Sequence, residues 1–146
     1  MTRHQACCVA SLAFALAGLC ATRAVAFAPP AGSYERAVTT AEICTLGYAR
    51  HHRRVPYRVR DAVYNRFGLP RGTRRGYVID HLVPLELGGR NDRANLWPQR
   101  RTDAARKDRE ENQLHDAVCS GRISLDAARA QILRRWQSSG HQSPPA

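Results

Sequence analysis

Tyr77 to Gln99 reads YVIDHLVPLELGGRNDRANLWPQ. An apolar run ends in an acid set directly before a histidine, Asp80-His81. Pro84 interrupts the extended pattern, Leu85 and Leu87 alternate around Glu86, and Gly88-Gly89 with Asn91-Asp92 make a turn. A lone Asn95 stands ahead of a second apolar pair, Leu96-Trp97. The stretch predicts a strand over 76–80, a glycine-rich turn and a short second strand over 95–98. Folding alone does not ask for Asp-His, two glycines and an asparagine at those spacings. The same stretch is therefore the candidate site.

On either side the pattern turns helical. Val59, Val63 and Phe67 fall at helical spacing, and Gly68 and Pro70 end that segment. Downstream a long helix is expected from near Thr102 to about Val118, with Leu114, Ala117 and Val118 facing inward and Ser120-Gly121 closing it. Ser124 caps one more helix, whose stripe of Leu125, Ala128, Ile132 and Trp136 reads as core. These segments predict one domain over 41–137, preceded by a flexible leader over 27–40 and followed by a flexible tail over 138–146. No repeat or internal linker is visible.

Residues 1–26 read as a signal peptide. Arg3 supplies the positive start, CCVASLAFALAGLC is an apolar run of 14 residues, and Ala24-Val25-Ala26 fits a cleavage site. The run is too short to span a bilayer comfortably, so no stable membrane anchor is expected and the chain should be periplasmic or secreted. Cleavage after Ala26 leaves 120 residues, enough for a modest core. Of five cysteines, only Cys44 and Cys119 remain, and an even pair in an oxidising compartment tends to bridge. The alternative is two buried thiols. Two cysteines do not make a four-ligand zinc ribbon.

Lys and Arg number 23 against 12 Asp and Glu, a net charge of +11; only Lys107 is lysine. The mature chain keeps about +9. Such a surplus favours polyanions: nucleic acid, anionic lipid or cell-wall polymer. RHHRRVPYRVR is the most basic run, and its Arg53 and Arg54 are candidate phosphate contacts. Adjacent His51 and His52 rarely converge on one ion.

The series Asp80-His81, Pro84-Leu85, Gly88-Gly89 and Asn95-Leu96, set in a strand–turn–strand–helix layout, resembles the HNH endonucleases, whose site is a ββα-metal unit. Further on, KDREENQLHDAVCSG resembles the segment C-terminal to the motif in small exported HNH-like bacterial proteins. The resemblance implies an α+β fold: a short two-stranded antiparallel hairpin and a long helix, flanked by additional helices. It implies His81 as general base, Asp80 as a ligand of one divalent ion (Mg²⁺ or Mn²⁺), and Asn95 as a clamp on the loop between the strands. The third motif position departs from the family. A His or Asn is expected about nine residues after Asn95, where position 104 is Ala. Asp103 is then the first choice for the second metal ligand and Asp108 the alternative, although a helix cap would also call for Asp103. Arg90, Arg106 and Lys107 join Arg53 and Arg54 as candidate nucleic-acid contacts, with a solvated face as the other explanation. His115 reads as a hydrogen-bonded structural histidine.

The expectation is an exported, monomeric, metal-dependent endonuclease acting on DNA, with RNA left open, and with little sequence choice. The alternatives are a non-catalytic nucleic-acid-binding module with a decayed site, and a disulfide-bridged basic protein that binds envelope polyanions.

Overall fold

The computed structural model describes residues 31–138. The expected signal peptide and residues 139–146 of the expected tail lie outside them. Three short helices come first: α1 (Thr40–Ile43), α2 (Tyr48–His52) and α3 (Tyr57–Arg66). A 3₁₀ segment, Arg71–Gly76, leads into strand β1 (Tyr77–His81). A loop containing the 3₁₀ turn Leu85–Leu87 returns the chain to β2 (Leu96–Arg100). Helix α4 (Arg101–Cys119) follows β2 directly, and α5 (Leu125–Ser138) completes an α+β fold.

β1 and β2 pair antiparallel, with Asp80 opposite Trp97 and His81 opposite Leu96. Opposed residues share a face and successive residues alternate. Asp80 and Trp97 therefore lie on one side of the hairpin, His81 and Leu96 on the other. The strands sit one or two residues further along than expected, so Asn95 precedes β2. Leu85 and Leu87 do not alternate as in a strand. After Pro84 they form a 3₁₀ turn that buries both and leaves Glu86 half-buried.

The helical stripes pack as their spacing requires. Val63 and Phe67 of the α3 segment are in the core, and Gly68 ends it at φ +66°. Leu114 and Val118 of α4 meet Leu125, Ala128, Ile132 and Trp136 of α5 in the same cluster. The Ser124 hydroxyl accepts the Ala127 amide, capping α5. Cys44, at the end of α1, and Cys119, at the end of α4, form the expected disulfide, with Cα atoms 5.7 Å apart across 75 residues of sequence.

Residues 31–36, read from composition as part of a loose leader, are docked. The Gly32 amide donates to the Ala94 carbonyl and the Glu35 amide to the Gly88 carbonyl, while Tyr34 bridges to Gly89 and packs on the core. Small residues gave no periodic signal; the backbone bonds to the β1–β2 loop supply the order instead.

Candidate active site

The loop between β1 and β2 is built around two glycines and one asparagine. Gly88 adopts φ +78°. At Gly89 a Cβ would lie 1.9 Å from the Val83 carbonyl oxygen, so only glycine lets the chain pass. Asn95 is fully buried. Its Oδ1 accepts the amides of Val83 (2.8 Å) and Ser33 (3.2 Å), and its Nδ2 donates to the carbonyls of Val83 (2.9 Å) and Arg90 (3.0 Å). These four bonds use the full capacity of the amide. Asn95 thus fastens both ends of the loop that leaves His81.

His81 ends β1, where it is 6% exposed. Its Nε2 lies 2.8 Å from Asn91 Oδ1, and Asn91 Nδ2 donates to the His52 carbonyl at 2.6 Å. That second bond turns the amide oxygen toward the imidazole. An amide oxygen only accepts, so Nε2 carries the hydrogen and Nδ1 carries the lone pair. Nδ1 makes no hydrogen bond among the described residues. Burial holds the imidazole below its usual pKa, against the Asn91 hydrogen bond and the Asp80 charge, which act the other way. The ring is neutral at neutral pH.

Asp80 faces α4. Its Oδ1 accepts the His81 amide at 2.8 Å, and its Oδ2 lies 3.3 Å from Lys107 Nζ. Lys107 is completely buried. The same ammonium donates to the His81 carbonyl at 2.6 Å and to Glu111 Oε1, one turn along the helix. Its three hydrogens thus meet three oxygens from β1 and α4. Burial opposes the charge on Lys107, but Asp80 and Glu111 together raise its pKa. Burial pushes the Glu111 carboxyl up to about 7, with Asp80 adding to the rise and Lys107 opposing it.

The remaining expected residues divide. Asp108 senses this cluster: partial burial, then the Asp80 charge, raises its pKa, while Lys107 and Arg53 act against the rise. Asp103 instead pairs with Arg106 at 3.2 Å. It does not cap α4, whose N-cap is Arg100 with no side-chain bond; it sits in the first turn, where the helix dipole favours an acid. Arg53 stands at the rim, largely exposed, with a 3.6 Å contact to Glu86. Arg54 is exposed nearby. Arg90 pairs with Glu35 and Asp92, and Arg106 also lies over the Trp136 ring. Lys107, expected at a phosphate, is inside the protein, because the two carboxylates and a carbonyl give the ammonium better partners than solvent on the helix face.

The residues present do not fit the expected divalent ion as they stand. Asp80 and Glu111 converge on an ammonium, and Asp103 is engaged by Arg106. Among the described residues, three His, Cys, Asp or Glu ligand atoms come within 4.8 Å of one another only at Cys44, His115 and Cys119. The two sulfurs there are joined to each other, so they offer no thiolate. His115 Nε2 meets the Ile43 carbonyl at 3.1 Å, which ties α4 to α1.

Sequence reasoning missed Asn91, which read as part of a turn; it left Glu111 either orienting the metal shell or facing water, and did not pair it with Lys107. The i,i+4 spacing of Lys107 and Glu111, together with the uniqueness of that lysine, was the available signal. Comparison of the chain with protein-family models, with curated proteins and with solved structures finds no match.

Proposed function

We propose that the chain is an exported HNH-like endonuclease that hydrolyses phosphodiester bonds in nucleic acid, DNA first, with little sequence choice. The observation that carries this reading is the His81 ring: neutral, fixed through Nε2 by Asn91, and unbonded at Nδ1. Such a nitrogen is arranged to take a proton from water. The water oxygen attacks phosphorus, the bond to the leaving strand oxygen breaks, and that oxygen takes a proton from solvent. In this reading Arg53, largely exposed, holds a phosphate, and Asn95 and the glycines keep the loop, and so the ring, in position. Export is supported by the apolar run at residues 7–20 and by a disulfide suited to an oxidising compartment. No helix among the described residues is long and apolar enough to cross a membrane.

One observation favours a second reading. The carboxylates of Asp80 and Glu111 already hold an ammonium, as a binding module with a decayed site would allow. Refolded mature protein incubated with supercoiled plasmid, with Mg²⁺, with Mn²⁺ and with a chelator, separates the two. Nicking in any arm supports the hydrolase. Retarded but intact plasmid in every arm supports the binding module.

A further inference from the structure

We infer that Lys107 is the resident cation of this site, occupying the place between Asp80 and Glu111 that a divalent ion would take, so that ion and ammonium exclude each other. The composition points the same way as the geometry. Every other basic residue of Lys or Arg type is arginine, 22 in all, and the single lysine is the one buried at the site. A guanidinium is a flat fork suited to two parallel bonds. An ammonium is a compact charge with three donors, and here each donor has one oxygen: Asp80 Oδ2, the His81 carbonyl and Glu111 Oε1. The acceptors come from the end of β1 and from the middle of α4, so the lysine also joins the strand that carries His81 to the helix. A divalent ion placed among the same oxygens would meet a full positive charge a few ångströms away, in a largely buried site that screens it poorly. It can enter only if the Lys107 side chain leaves.

The inference concerns the site of the proposed hydrolase, but it is read by ion binding and stands or falls apart from cleavage. The test is Mn²⁺ binding to the mature protein, followed by the spectroscopic signal of free Mn²⁺, for the parent, Lys107→Met, and Lys107→Met with Asp80→Asn. Lys107→Met should bind at least tenfold more tightly than the parent, and the added Asp80→Asn should remove the gain. A folded Lys107→Met with affinity within twofold of the parent overturns the inference. Should that variant not fold, amine labelling of the parent decides, because one lysine gives one unambiguous modified peptide. At Mn²⁺ concentrations that occupy the Asp80 site of the parent, the labelling rate of Lys107 should rise; ion bound there with an unchanged rate overturns the inference.

Discussion

At the scale of single residues, the proposed chemistry turns on a short relay from the His52 carbonyl through Asn91 to His81. Asn91→Ala removes the acceptor that fixes the ring. Single-turnover cleavage should slow by about 10–100-fold, the range found for the partner that orients a metal-bound histidine, and unfolding should become easier by about 1–3 kcal/mol because a buried imidazole N–H is left unpaired. Asn91→Asp keeps an oxygen that accepts from Nε2 but cannot donate to the His52 carbonyl, so it should recover only part of the rate. Its added negative charge raises the imidazole pKa, so the acid limb of its pH profile should move up. A merely structural Asn91 would give no such movement. The pH dependence of stability has a definite sign at His81. Its folded pKa lies below the ordinary 6.5, so the unfolded chain takes up a proton first as pH falls. Its contribution is complete above 6.5 and is lost as pH drops through the folded value. Urea melts at pH 7.5 and pH 5 should show a larger acid loss for the parent than for His81→Gln. An equal loss in both places the pH sensitivity elsewhere.

At the scale of elements, the loop between β1 and β2 was the most legible part of the chain. Its glycines and asparagine announce themselves because each meets a demand few other residues satisfy: left-handed φ at Gly88, close backbone approach at Gly89, four bonds from one amide at Asn95. Gly89→Ala should cost about 3 kcal/mol or more in chemical denaturation, because its Cβ collides with the backbone of Val83 rather than with a side chain that can turn aside. A loss below about 1 kcal/mol would mean that the loop relaxes easily. The α4 and α5 stripes were legible from period alone. Three features were not. The 3₁₀ turn at Leu85–Leu87 shares its spacing with a strand, and nothing local separates the two over three residues. The docking of residues 31–36 depends on backbone bonds that small side chains do not advertise. The Lys107 cluster needs β1 and α4 side by side, a tertiary fact that a helix-face reading of one lysine does not contain.

At the scale of the whole molecule, the disulfide and the charge set what the protein withstands and what it meets. The bridge closes 75 residues, and chain entropy alone assigns it about 4 kcal/mol. Reduction, or Cys44→Ala with Cys119→Ala, should lower the melting temperature by roughly 10 °C or more, given several degrees per kcal/mol for a domain of this size. A shift of a degree or two would show that the unfolded chain is already compact. In the proposed reading, affinity for nucleic acid comes from the surplus of arginine, 22 in the sequence, so it should not depend on any one group of the site. Binding and cleavage can therefore be separated, and His81→Ala in the plasmid assay, with gel retardation alongside, tests the central claim most directly. The predicted result is retardation at the same protein concentration as the parent and a cleavage rate lower by about 10²–10⁴-fold. Cleavage by folded His81→Ala at the parental rate, with contaminating nuclease excluded, would contradict it.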